Sequence, residues 1–278
     1  MNDLKLQAEH LKLARLLGCK ESQIAALKIR DVDALRQLRA ACTSTLFDGD
    51  RASLQKVVAA ARLMPAPLNA LIAEKAMGPV LGSRVAGMLP PQLAVDIAKR
   101  APLALNVEVT LLIDPRSAVP MLRLMPVELV VAVTREVVKR REYIAMARFV
   151  DTLTNEQIRA CMQVLDDEAM LRIGFFVESP QRLEEVVGLM NDERLQKVMA
   201  VGAKPELDLG AAVLMLLSGV GDKLRTRLAE AALSHPDAKV GDSLIAVARQ
   251  HGMVELLAPL GAAMKPAPAQ RLRDLLAC

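Results

Sequence analysis

Aromatic side chains are almost absent from this chain: it has no tryptophan, one tyrosine (Tyr143) and four phenylalanines in 278 residues. Proteins that stack nucleobases need such rings, and strands draw on the same aromatic and β-branched set. A one-sided charge is missing too. Lys and Arg total 36 against 32 Asp and Glu, a formal +4 spread along the chain. The densest basic run, Arg135 to Arg141, is interrupted by Glu136 and followed by Glu142, the pattern of a solvated helix face. No nucleic acid is expected as a partner. The four cysteines (Cys19, Cys42, Cys161, Cys278) lie far apart, with no CxxC and no histidine close by. Neither a zinc site nor a redox pair follows, and all four are expected as independent thiols. Long apolar runs are also lacking. The longest uncharged stretch, Leu209 to Gly221, spans 13 residues, too short to cross a bilayer. The opening Met-Asn-Asp-Leu-Lys is charged and amphipathic, unlike a secretory signal. These absences point to the cytoplasm, without membrane insertion.

What is present is aliphatic. The apolar fraction is 53%, mostly Ala, Leu, Val and Met, which Val apart are helix formers. An all-α fold with no sheet is expected. The length suits one large domain or two ordinary ones, enough to bury a core without metal or disulfides. Apolar stripes recur at i, i+3, i+4 and i+7: Leu54, Val57, Val58, Ala61; Ile158, Cys161, Met162, Leu165; Leu183, Val186, Val187, Met190. Each predicts a helix whose stripe a neighbour must cover. Start signals are as regular. Pro65, Pro90, Pro115, Pro126 and Pro180 each precede or open a periodic segment, where a missing N–H costs nothing. Thr154 and Gln157 have capping-box spacing, and Asn191-Asp192 opens the segment before Leu195. Short helices of about 9 to 14 residues separated by two or three turn residues are predicted from Pro65 to about Val201.

A weak repeat of about 65 residues runs through this region. Asp114-Pro115-Arg116 falls on Ser179-Pro180-Gln181, Leu124-Met125 on Leu189-Met190, Glu128 on Glu193, Val130 on Leu195 and Val133 on Val198. Such a period predicts stacked helical units. The chain divides into an N-terminal helical cap (1–62), a repeat array (63–203) and a C-terminal helical cap (204–278) continuous with the array. The first has three or four helices, broken near Gly18-Cys19 and Phe47 to Asp50. The last restarts after Lys204-Pro205 and turns at Gly219 to Asp222 and at His235-Pro236-Asp237. It ends in a short helix from Pro268, with disorder confined to the termini and to Lys265–Ala269.

Recurring segments share a phrase: Leu89-Pro90-Pro91-Gln92-Leu93-Ala94, Met125-Pro126-Val127-Glu128-Leu129-Val130, Met190-Asn191-Asp192-Glu193-Arg194-Leu195 and, more loosely, Met64-Pro65-Ala66-Pro67-Leu68. This phrasing, over residues of about 60–202, resembles the cytosolic N-terminal superhelical domain of MgtE-type magnesium transporters. It is also similar, more loosely, to the middle domain of the flagellar motor switch protein. The resemblance implies a right-handed superhelix of short paired helices. The transporter's membrane domain has no counterpart here, so transport itself is not expected.

No constellation suggests catalysis. His10, His235 and His251 have no nucleophile, carboxylate or second ligand at a telling spacing, and Gly219-x-Gly221 lacks the Walker spacing. No enzyme activity and no cofactor are expected. Asp166, Asp167 and Glu168 form the strongest acidic cluster, a weak candidate for metal, though acids also favour a helix's first turn. Met121, Met125, Met162, Met170, Met190 and Met199 recur in the array. Thioethers fill gaps in aromatic-poor cores, and they also line adaptable grooves. These six are therefore the candidate groove for a protein partner or an apolar ligand. The expected function is a cytoplasmic protein–protein interaction scaffold. The alternatives are a carrier or sensor of an apolar small molecule in a Met/Leu/Val-lined cavity, and a magnesium-sensing regulatory domain.

Overall fold

The computed structural model describes residues 2–277; Cys278, one of the four cysteines, lies outside them. Among the described residues there are nineteen α-helices and no strand, so the all-α expectation holds. The chain forms two compact units, one of His10–Leu165 and one of Met1–Glu9 with Asp166–Cys278. The chain passes between them at Glu9/His10 and at Leu165/Asp166.

Four helices occupy the N-terminal stretch: α1 (Asn2–Leu17), α2 (Glu21–Ala25), α3 (Val32–Asp48) and α4 (Arg51–Leu63). The breaks fall where the sequence places them, with Gly18 at φ +65 taking the left-handed turn that a side chain disfavours. Then follow α5 (Ala66–Ile72), α6 (Gly78–Ala86), α7 (Pro91–Ala98), α8 (Leu103–Leu112), α9 (Pro115–Leu124), α10 (Val127–Lys139), α11 (Tyr143–Val150) and α12 (Asn155–Val164). Between α5 and α6 the chain passes through a π-helical turn, Ala73–Met77. In this unit α4 packs on α6, α5 on α7, α6 on α8, α7 on α9, α8 on α10 and α10 on α12. In these pairs a helix packs on the one two places later. The helices from α7 to α10 begin at residues 91, 103, 115 and 127. The helix openings at Pro115 and Pro180, which the 65-residue register pairs, are five helices apart.

Local chemistry sets the starts. Pro65, Pro90, Pro102 and Pro126 stand at N-cap positions, and Pro115 and Pro180 open α9 and the helix Pro180–Gly188. At the paired positions of the long register, the Asp114 carboxylate accepts from Arg116 N–H and the Ser179 hydroxyl from Arg182 N–H. Both arms of the Thr154 box are present: Gln157 N–H donates to Thr154 Oγ1 at 3.2 Å and Thr154 N–H to Gln157 Oε1 at 2.9 Å. The corners carry a second device. Asn69 donates to the carbonyl of Ala61 and Asn106 to that of Ala98, each at 2.9 Å. Each asparagine is the fourth residue of its helix and donates to a carbonyl near the end of an earlier one, where intrahelical partners run out.

The second unit contains α13 (Asp167–Phe176), α14 (Pro180–Gly188), α15 (Asp192–Gly202), α16 (Gly210–Gly219), α17 (Asp222–Leu233), α18 (Lys239–Gln250) and α19 (Pro266–Ala277). Short 3-10 turns interleave at Pro205–Leu207, Val254–Leu256 and Ala258–Ala262. The uncharged stretch becomes α16, with Ala212, Val213, Leu214, Leu216 and Leu217 all buried and with α13, α14, α15, α17 and α18 packed around it. It lacks a polar face because neighbours cover it on most sides. No helix among the described residues is long and apolar enough to cross a membrane. Gly202 gives α16 its close approach: a Cβ there would run into Val213 Cγ2 and sit 3.3 Å from Leu171. The turn at Gly219 to Asp222 forms as expected, Gly219 ending α16 and Gly221 capping α17. The last helix differs from expectation. It starts at Pro266, two residues before Pro268, and takes in Pro266 to Ala269, because proline is compatible with a helix's first turn.

The stripes are core, with one exception. Leu54, Val58 and Ala61 are buried, but Val57 is 36% exposed at the edge of the α4 face. Leu183, Val187, Ile158 and Cys161 are buried, and Val186, Met190, Met162 and Leu165 are half-buried.

Candidate interaction surface

The acidic cluster at the start of α13 is occupied by its own unit. Asp166 caps the helix, accepting from Ala169 N–H at 2.7 Å. Asp167 lies 2.8 Å from Arg194 Nε, and Glu168 accepts from Arg172 Nε at 2.8 Å. Each carboxylate thus faces a backbone donor or a guanidinium, which a cation would have to displace. Among the described residues no group of three or more His, Cys, Asp or Glu is placed to hold a metal ion. At the start of α15, bonds from Arg227 and Lys197 hold the Asp192 and Glu193 carboxyls below their ordinary pKa.

The histidines lie on separate elements. His10 lies in α1, the His235 ring accepts from Asp237 N–H at 3.1 Å, and His251 closes α18. Cys19, Cys42 and Cys161 are free thiols. Cys161 is 5% exposed, with Sγ 3.3 Å from Thr134 Oγ1. Burial pushes its pKa up, and the Thr134 hydrogen bond opposes that shift.

The six methionines fall three to each unit: Met121, Met125 and Met162 in one, Met170, Met190 and Met199 in the other. Met121, Met170 and Met199 are buried, and Met121 belongs to a core cluster with Ala94, Val95, Ile113, Ala118 and Phe149. These three are core side chains with no face to offer a partner. Met125, Met162 and Met190 are half-buried. Cavities are small. One of about 10 Å³ is lined by Met199, Gly202, Val213, Val240, Leu244 and Val247. Another of about 20 Å³ lies among Phe47, Arg51, Leu54, Arg84 and Asp114 in the other unit. Each has room for about one water molecule. The arginines at the second are matched by acids: Arg84 pairs with Asp50, Arg51 with Asp48 at 3.5 Å, and nearby Arg116 with Asp114 at 2.8 Å.

The unsatisfied surface lies elsewhere. Every exposed large hydrophobic among the described residues falls between Leu17 and Leu124. Leu63 at 88%, Val80 at 61%, Leu71 at 51% and Leu68 at 43% lie on either side of the π turn, and Leu27 at 54% and Leu124 at 52% are comparably exposed elsewhere in the unit. Leu68 and Leu71, at i and i+3, share the outer side of α5, opposite buried Asn69 and Ala70. Charge is skewed over the same stretch. From Arg51 to Val95 the bases are Arg51, Lys56, Arg62, Lys75 and Arg84, and Glu74 is the one acid. Asp48 and Asp50 just before and Asp96 just after offset most of that excess, and Arg51, Arg84 and Lys75 are each paired with an acid. Lys56 and Arg62 are exposed. Sequence periodicity misses these leucines because it registers only apolar residues that repeat with the helix. Leu63 falls off the Leu54/Val58/Ala61 stripe, and α5 is too short to show a period.

No family model matches the chain, and neither a curated protein nor a solved structure matches it.

Proposed function

We propose that this chain is a non-enzymatic protein–protein interaction scaffold acting in the cytoplasm. In this reading its short helices form a right-handed superhelix like the transporter module its sequence resembles. One observation carries the reading. Large apolar side chains stand in solvent around α4 to α6, and exposed apolar surface marks association sites when it is contiguous. The magnesium-sensing alternative draws no support from carboxylates already paired. The test is photo-cross-linking in cells, with a photoreactive residue at Leu68 or, as a control, at Lys197 on α15. Discrete protein adducts from position 68 and none from 197 are expected. Lipid adducts alone, or no difference between the positions, would overturn the reading.

A further inference from the structure

The connection between α2 and α3, Ala26 to Asp31, is the longest stretch outside helix among the described residues. Turn bonds to Ser22, Ile24 and Ala25 hold Ala26, Leu27 and Lys28. The next two residues differ: among the described residues neither Ile29 nor Arg30 makes a hydrogen bond through its N–H or its C=O. Leu27, Lys28, Arg30 and Asp31 are exposed. Lys28 also stands at φ +56, a left-handed conformation that a side chain disfavours, so it gives this up readily for an extended one. Exposed chain with unpaired main-chain groups is what a protease cleft takes, because the cleft pairs with its substrate as one strand pairs with another. The cleft needs more extended chain than this loop supplies, and α2 can unwind to give it. That helix has five residues, with Ile24 buried, and is too short to hold as a helix alone. Other basic corners are closed. Arg100 and Ala101 N–H both donate to the Ile97 carbonyl, and Arg141 and Glu142 N–H to those of Val138 and Val137. Lys204 and Lys265 each precede a proline, whose ring obstructs cleavage of the bond before it.

We infer that the α2–α3 connection is where an endopeptidase that cuts after basic residues opens the folded protein. Water adds across the peptide bond, leaving a carboxyl on Lys28 or Arg30 and an amino group on Ile29 or Asp31. The severed α1–α2 piece stays in place, because Leu13, Ala14 and Ile24 are buried and Arg15 pairs with Glu142 at 2.9 Å. The test is limited trypsin digestion of the full-length chain, followed by intact-mass spectrometry and native gel filtration. The first cut is expected after Lys28 or Arg30, and the two pieces should co-elute until denaturant separates them. In Lys28→Ala/Arg30→Ala the first cut must wait for opening elsewhere, so it should slow by about tenfold or more. The variant's melting temperature should match the parent's, since both side chains are exposed. Thermolysin, which cuts before aliphatic residues, should still cut this variant before Leu27 or Ile29, because the segment stays open. A first cut at another corner, such as Arg100 or Arg141, would overturn the inference, as would an unchanged trypsin rate in the variant. Pieces that separate without denaturant would overturn the retention of α1 and α2.

Discussion

At the scale of single residues, burial decides what each side chain does. Val187 is 1% exposed on α14, so Val187→Asp would place an unpaired charge among helices at a cost of about 3–5 kcal/mol. Loss of cooperative thermal unfolding is the expected result, and a melt within a degree or two of the parent would refute it. Cys161 offers a gentler probe. Its thiol is favoured neutral in the folded chain because burial raises its pKa. Its contribution to stability is therefore complete below the ordinary thiol pKa and is lost as pH rises through the folded value. Stability should thus fall more between pH 8 and 10.5 in the parent than in Cys161→Ala. In native protein Cys161 should also react with thiol reagents well after the half-buried Cys19 and Cys42. Equal labelling rates would show that the core opens readily. Burial of Cys161 was legible from its place in the Ile158 stripe. The pairing of Asp167 with Arg194 was not, because it joins residues 27 apart whose meeting depends on how α13 and α15 pack.

Elements are held chiefly at their ends. Gln157 completes the Thr154 box and its Nε2 donates to the carbonyls of Leu122 and Met125, each at 2.9 Å. One side chain thereby starts α12 and closes α9. Thr154→Ala should cost about 1 kcal/mol, the usual worth of a cap. Gln157→Leu should cost more, about 1–3 kcal/mol, because the buried groups it served lose their partner. Urea denaturation of the two variants checks the order, and equal losses would show that the long-range bonds contribute nothing. The cap itself was readable, since it is a contact between residues three apart. The reach back to α9 was not, for the pattern fixes where a helix begins and leaves open which helix end it meets. Gly202 makes the same point for packing. Gly202→Ala should destabilise by about 1–3 kcal/mol, because its Cβ meets Val213 and Leu171 in a filled core. The sequence marks this glycine only as the end of α15.

For the whole molecule, the paired carboxylates at the start of α13 lead to a prediction about magnesium. Millimolar Mg²⁺ should raise the melting temperature no more than a monovalent salt of equal ionic strength. A ligand at a hundred times its Kd would stabilise the fold by about 2.7 kcal/mol. A saturable magnesium-specific rise removed by Asp166→Asn and Asp167→Asn would restore the sensing alternative. What the sequence determined by itself was local. Aliphatic composition and 3.6-residue periodicity gave the all-α fold, and prolines, caps and the Gly18 and Gly219 breaks placed the helices, because these act within one or two turns of chain. Tertiary structure alone decided which apolar side chains found a neighbour. Met199 and Met121 went into cores, whereas Leu63, Leu68, Leu71 and Val80 stayed in solvent. Hydrophobicity is a property of the residue, but burial depends on which segments the fold brings over it.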